Sequence, residues 1–208
     1  MMTTPYKLSF IGAGLSISGS VKIAETYLQL RDWDAVKEKA KSENLLQART
    51  RNSVQRTFQE LAPRLQELND EQLALLVEGN HQEQKQLLWF AVCQRYAYIR
   101  DFAIEVIHEK FLMLDYDLTD FDYDAFYNRK ADWHDELDQI TASTKTKLKT
   151  VLFRMLREAE IISDDHIILP TLLSQRVLDV LAAGSAANLQ VFPMNVAGRP
   201  PIVDRPLS

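Results

Sequence analysis

The chain has 208 residues, with 24 lysines and arginines against 29 aspartates and glutamates, so its formal net charge is −5. With 46% apolar residues, 6 glycines and 7 prolines, the composition argues against an all-β protein, which needs many turns. The single cysteine, Cys93, excludes a disulfide framework within one chain. The sequence predicts a mainly α-helical, compact globular protein.

The N-terminal segment MMTTPYKLSF lacks the basic stretch and apolar run of a targeting signal. The longest apolar run, residues 87–93, is much shorter than the roughly 20 residues that cross a bilayer. We therefore expect a cytoplasmic protein that does not contact a membrane.

The segment KLSFIGAGLSISGS resembles the strand, glycine-rich turn and helix of a dinucleotide-binding fold. The third glycine of the pattern G-x-G-x-x-G is missing, because Ile17 occupies its position. No second strand ending in an acidic residue follows. The segment therefore does not predict a nucleotide site.

Basic and acidic residues are concentrated in different segments of the chain. Residues 36–64 carry seven basic and three acidic side chains, a net of +4. Residues 101–139 carry three basic and twelve acidic side chains, a net of −9, and residues 140–157 carry five basic side chains and no acid, a net of +5. Two basic blocks therefore flank an acidic middle, a pattern that the overall charge conceals.

The first basic block follows two predicted helices. One is capped by Ser18 or Ser20 and ends near Arg31, and the next begins at Asp32 or Asp34. A third helix is predicted to be capped at Asn52 or Ser53, with Gln55 closing a capping box on Asn52. Its inner face has helical spacing and consists of Val54, Phe58, Leu61, Leu65 and Leu68.

The opposite face of this third helix carries side chains of the types that read base edges in a major groove. Arg49 and Arg51 lie at the entrance to the helix, where they can pair with phosphates. We predict a helix-turn-helix unit with DNA contacts at Arg49, Arg51, Asn52, Gln55, Arg56 and Gln59.

The second basic block lies on the clearest amphipathic helix of the chain. Its predicted apolar face is Leu148, Val151, Leu152, Met155, Leu156 and Ala159. The stretch IISDDHIILP follows as a short β-hairpin, so this second helix-turn-helix unit can be winged. Its predicted DNA contacts are Lys145, Lys147, Lys149 and Arg154.

Between the two blocks, an apolar-rich helical stretch over residues 82–114, broken near 98–101, forms the predicted core. The acidic segment that follows is expected to turn its aromatic side chains Phe121, Phe126, Tyr127 and Trp133 inward. The sequence thus divides into residues 1–70, residues 71–139 and residues 140–208, the last including an extended tail.

No pattern indicates catalysis, a metal or a cofactor. Cys93 lies among apolar neighbours that disfavour its thiolate, and the four histidines are widely separated. The aspartates at 120, 122 and 124 resemble the start of a calcium loop, but Ala125 and Ala131 stand where that loop needs glycine and glutamate. We predict a protein that is not an enzyme.

The sequence resembles the BrxA family, a core component of the bacteriophage-exclusion (BREX) defence systems of bacteria. The resemblance runs through LSFIGAGL, KIAETYLQLRDWDAV, ENLLQARTRNSVQR, QLLWFAVCQRYAYIRDFAIEV, FYNRKADWHDELD and TKLKTVLFRMLREAEII. It implies an all-helical fold with two helix-turn-helix units and a role in phage defence through binding of double-stranded DNA, without catalysis.

Two other hypotheses remain open at this point. In one, the protein is an adaptor whose acidic, aromatic segment docks another defence protein. In the other, the basic faces bind RNA, although no aromatic platform for stacking bases accompanies them. Nothing resembles a coiled-coil seam, and we expect a monomer.

Overall fold

The computed structural model describes residues 4–12 and 14–195. Of these residues, 67% are helical and none forms a β-strand, which confirms the mainly α fold class. The helices are α1 (Ile17–Leu30), α2 (Trp33–Ser42), α3 (Arg51–Leu65), α4 (Asp70–Glu78), α5 (His81–Arg95), α6 (Ala97–Phe102), α7 (Glu109–Leu112), α8 (Asp120–Ala131), α9 (Asp135–Asp138), α10 (Ala142–Glu158) and α11 (Gln175–Ala182). A π-helical turn, Ala103–His108, joins α6 to α7.

The first two helices meet at a tight corner. Helix α1 ends at Leu30, close to the end predicted near Arg31, and Arg31 adopts the left-handed conformation. Asp32 caps α2 by accepting hydrogen bonds from backbone N–H groups of its first turn. The start predicted for α1 was wrong, because Ser16 rather than Ser18 or Ser20 is its N-cap. Ser20 lies within the first turn, where its hydroxyl donates to the carbonyl of Leu15.

The predicted cap of α3 was also wrong. Thr50 has an extended backbone, and its Oγ1 accepts a hydrogen bond from the N–H of Ser53 at 3.1 Å. Asn52 therefore lies inside the first turn, and no capping box joins it to Gln55. The sequence offers Thr50, Asn52 and Ser53 as competing caps, and the backbone conformation decides between them.

The apolar face predicted for α3 is confirmed. It packs against α1, α2 and α5. The buried side chains are Val54, Phe58, Leu61, Leu65 and, just beyond the helix, Leu68.

Helix α5 is the centre of the core, and its side chains are buried without a break from Gln86 to Cys93. Trp89 is fully buried and donates from Nε1 to the carbonyl of Val191 at 2.8 Å. The helical stretch is interrupted at Tyr96 rather than at 98–101, because Tyr96 has a non-helical backbone (φ −120°, ψ 96°).

Of the four aromatic side chains of the acidic segment that were predicted to be buried, two are buried and two are exposed. Phe126 and Tyr127 are buried, but Phe121 and Trp133 are 79% and 73% exposed. The Thr119 cap starts α8 at Asp120, and Tyr123 then shares the inner face with Phe126 and Tyr127. Phe121, two residues before Tyr123, must therefore point outward.

Helix α10 buries the predicted stripe Leu148, Val151, Leu152, Met155, Leu156 and Ala159. The hairpin expected after it is reduced to a turn with one isolated bridge between Ile162 and Ile168. A second bridge, from Ile167 to Asp117, ties this turn to the segment before α8. The turn is therefore part of the packed structure rather than a projecting wing.

The three predicted sequence units share a single hydrophobic core that runs from Tyr6 to Phe192. Residues of the expected extended tail form a 3-10 helix, Ala186–Val191, which leads to the buried Phe192. The remainder of that tail, residues 196–208, lies outside the described residues.

The cap assignment of α3 predicts different costs for two neighbouring substitutions. We expect Thr50→Ala to lower the free energy of unfolding by about 1 kcal/mol, because the N–H of Ser53 loses its partner. Asn52→Ala, which removes no cap, is the matched control and should change stability much less. Urea unfolding measures both, and a larger loss for Asn52→Ala would contradict the assignment.

Candidate nucleic-acid interface

The six residues predicted as the first DNA contact lie together on the surface. Arg49, in the loop before α3, and the five α3 residues Arg51, Asn52, Gln55, Arg56 and Gln59 are all exposed. Because the apolar stripe of α3 is buried, these polar side chains face solvent. We call these six residues the α3 face.

The arginines of the α3 face differ from the other exposed arginines in their ion pairs. Among the described residues, no ion pair involves Arg49, Arg51 or Arg56. Most other exposed arginines have carboxylate neighbours, such as Arg31 with Asp70 at 2.6 Å. The α3 face therefore presents positive charge that no ion pair of the described residues neutralises.

A closed loop holds Arg49 in place ahead of α3. The Asn44 side chain accepts from the N–H of Ala48 at 3.0 Å and donates to the carbonyl of Ala48 at 3.1 Å. Asn44 and Gln47 both have positive φ, a conformation that asparagine tolerates better than most residues. The sequence pattern did not predict this loop closure, which depends on hydrogen bonds between the Asn44 side chain and the backbone of Ala48.

The second basic block is arranged differently. Lys145 lies 3.0 Å from Asp124, and Lys149 lies 2.6 Å from Asp120, so acidic residues of α8 neutralise both lysines. Lys147 is exposed and takes part in no ion pair of the described residues. The acidic and basic blocks, which are separate in the sequence, therefore meet at this helix.

Arg56 and Arg154, one from each predicted unit, line the same cleft between α3 and α10. Ser53 and Thr57 contribute hydroxyls to its wall, and the cleft has a volume of about 530 Å³. It also contains the carboxylates of Glu60 and Glu158, and Glu158 lies 3.8 Å from Arg154. The structure thus brings together two residues that are 98 positions apart in the sequence, in a cleft of mixed charge.

The glycine-rich loop rejected as a nucleotide motif forms the remaining wall of this cleft. A Cβ on Gly14 would lie 2.2 Å from Oε2 of Glu158, which accepts from the N–H of Leu15 at 2.5 Å. The buried guanidinium of Arg64 on α3 donates to the carbonyl of Gly14 at 2.6 Å. A side chain at position 14 would therefore displace the Glu158 carboxylate from its hydrogen bond to Leu15.

In the part of the chain that the structure describes, Cys93 is buried and the potential metal ligands do not cluster. Burial raises the pKa of the Cys93 thiol well above its ordinary value. Within residues 4–12 and 14–195, no three His, Cys, Asp or Glu side chains form a metal-binding group. In the same part of the chain, no helix is both long and apolar enough to cross a membrane.

The fold and the surface together define an all-helical protein in which three exposed arginines on or just before α3 take part in no ion pair of the described residues. The BrxA family model matches residues 4–185. The chain therefore belongs to the BrxA family of the BREX phage-defence systems.

Two curated relatives carry the name BREX protein BrxA. The protein of Bacillus cereus (strain H3081.97) is 30% identical over 124 residues, a match that covers 60% of this chain and 62% of the relative. The protein of Escherichia coli O9:H4 (strain HS) is 28% identical over 149 residues, covering 72% of this chain and 70% of the relative. The matched part of the Bacillus relative is thus less than two thirds of its length.

The fold has also been seen in a crystal structure of an uncharacterized protein from Magnetospirillum magneticum. The two structures superpose with a TM-score of 0.78, covering 91% of this chain and 98% of the other. At 22% sequence identity, this similarity concerns the fold alone.

Proposed function

We propose that this BrxA-family protein is a non-catalytic component of a BREX phage-defence system that binds double-stranded DNA. The observation that carries the proposal is the α3 face, where Arg49, Arg51 and Arg56 are exposed and belong to no ion pair in the described part of the chain. DNA-binding proteins obtain most of their sequence-independent affinity from such residues, which displace counterions from phosphates. The site of action is the cytoplasm, where the protein works as a monomer.

In this proposal α1, α2 and α3 act as a helix-turn-helix unit, with α3 as the helix that enters the major groove. The three helices pack on one another, as such a unit requires. Asn52, Gln55 and Arg56 lie in the first two turns of α3, the part that reaches base edges in proteins of this type. Residues 43–50 join α2 to α3, a connection longer than the common turn of three or four residues.

The second unit contributes less in the free protein. Lys147 and Arg154 are exposed on α10, whereas Lys145 and Lys149 are engaged with α8. The cleft shared by Arg56 and Arg154 supports a single contact surface that extends from α3 to α10. Backbone contacts of this kind carry little base information, so we propose modest sequence specificity.

Salt-dependent binding to a labelled 30-base-pair duplex tests the proposal. By fluorescence anisotropy from 50 to 300 mM salt, the wild type should bind, and log K should fall by about 0.9 per phosphate contact for each decade of salt. Arg49→Gln/Arg51→Gln/Arg56→Gln should weaken binding and reduce this slope by up to about 2.7, because three contacts are lost.

The matched control removes the same charge elsewhere. Arg31→Gln/Arg100→Gln/Arg176→Gln substitutes three arginines whose side chains reach solvent and have carboxylate partners, one beside the end of α1, one on α6 and one on α11. If both triple variants weaken DNA binding equally, the binding depends on net charge alone. If the wild type does not bind the duplex at 50 mM salt, the proposal is contradicted. Tighter binding to RNA than to the duplex would favour the RNA hypothesis.

A second function, as an adaptor for another BREX protein, is supported by the surface around Phe121. This side chain is 79% exposed, next to Asp120, whose own side chain is 76% exposed. An exposed aromatic residue in a polar setting is a common anchor of protein interfaces. This adaptor role is compatible with DNA binding, because Phe121 does not belong to the α3 face.

Substitution of Phe121 separates the two roles. We expect Phe121→Ser to leave the urea unfolding midpoint and DNA affinity nearly unchanged, because the ring contributes little to the core. Protection of cells against phage should fall if the ring anchors a partner. Full protection by Phe121→Ser would contradict the adaptor role and leave the DNA proposal intact.

A further inference from the structure

Two ion pairs with the same spacing join α8 to α10. Asp120 and Asp124 are four residues apart on α8, and their partners Lys149 and Lys145 are four residues apart on α10. Such residues lie on the same side of a helix and about 6 Å apart along its axis. The two helices therefore match two carboxylates to two ammonium groups in antiparallel order.

The lysines are held in position by more than these carboxylates. The Nζ of Lys145 lies 4.3 Å from the centroid of the Tyr127 ring, and the Nζ of Lys149 lies 5.7 Å from that of Tyr123. The side chains of Lys145 and Lys149 are only 30% and 24% exposed. Contact with the aromatic rings therefore contributes to the orientation of both ammonium groups.

The carboxylates, in contrast, are at the surface. The side chains of Asp120 and Asp124 are 76% and 51% exposed, although α8 itself is anchored by the buried Tyr123 and Phe126. Because both carboxylates are exposed and α8 is anchored by other side chains, another anion can replace either carboxylate without moving α8. The carboxylate of Asp122 is different, since it accepts from the N–H of the Thr119 cap and pairs with Lys110 at 3.3 Å.

We propose that Lys145 and Lys149 form a second binding surface for DNA phosphates, which Asp120 and Asp124 occupy in the free protein. This inference rests on the proposed DNA binding and assigns to α8 the role of limiting its strength. A phosphate oxygen bears the same charge and accepts the same hydrogen bonds as a carboxylate oxygen. The paired aspartates therefore stand where two phosphates of the DNA backbone would bind.

The test is Asp120→Asn/Asp124→Asn, which keeps the size of both side chains and removes both charges. We expect tighter binding to the 30-base-pair duplex and a salt slope that is steeper by about 1.8, because two phosphate contacts are added. A slope difference of this size makes the gain in affinity shrink about tenfold between 50 and 200 mM salt.

Two sets of control variants establish whether Lys145 and Lys149 produce the gain. Asp164→Asn/Asp165→Asn removes the same charge from an exposed turn whose aspartates have no lysine partner in the described part of the chain. Adding Lys145→Gln/Lys149→Gln to the Asp120→Asn/Asp124→Asn variant should abolish the gain, whereas the same lysine substitutions in the wild type should have a smaller effect. Thermal unfolding checks that every variant is folded.

The outcomes distinguish this inference from the proposed function. If the wild type binds and Asp120→Asn/Asp124→Asn behaves like Asp164→Asn/Asp165→Asn, the second surface is overturned while the DNA-binding proposal stands. If neither the wild type nor any aspartate variant binds at 50 mM salt, both are overturned. If DNA affinity still increases when Lys145→Gln/Lys149→Gln is combined with Asp120→Asn/Asp124→Asn, the proposed surface is also rejected.

Discussion

Burial of one apolar stripe determines how the rest of this molecule is arranged. Val54, Phe58, Leu61 and Leu65 are almost completely removed from solvent against α1, α2 and α5. Each such side chain stabilises the fold by roughly 1.5–3 kcal/mol relative to exposure, so α3 cannot rotate about its axis without a large loss. The same constraint fixes Asn52, Gln55, Arg56 and Gln59 on the outside. The candidate interface is thus a consequence of core packing.

The loop around Gly14 connects this constraint to the second basic helix. Arg64 of α3 holds its carbonyl, and Glu158 of α10 holds the adjacent N–H of Leu15. Charge-assisted hydrogen bonds of this type are stronger than those between neutral groups. They keep α3 and α10 close enough for Arg56 and Arg154 to line one cleft.

The helical periodicity of the sequence correctly predicted the apolar faces of α3 and α10, although it missed the burial of Arg64 and Phe153. A period of 3.6 residues is a property of one segment, and it needs no knowledge of neighbours. It also correctly assigned the exposure of the α3 face. The caps were less predictable, because Thr50, Asn52 and Ser53 can all accept the same type of hydrogen bond, and the choice depends on backbone angles.

Contacts between distant segments could not be predicted from local patterns. The pairing of Lys145 with Asp124 and of Lys149 with Asp120 depends on the packing of α8 against α10. Phe121 was misassigned for a related reason, since its direction depends on where α8 begins. The spacing of Gly12 and Gly14 resembled part of a nucleotide-binding motif. In the structure, the carboxylates of Glu60 and Glu158 lie close to these two glycines.

The central claim is that the α3 face contacts duplex DNA, and photo-crosslinking tests it most directly. A photoreactive amino acid replaces Gln55 on α3 in one variant and the exposed Gln175 on α11 in another. Each variant is irradiated with a labelled duplex at low salt. The account predicts a strong protein–DNA crosslink from position 55 and little from position 175. Equal crosslinking from both positions, or none from position 55 while DNA remains bound, would contradict it.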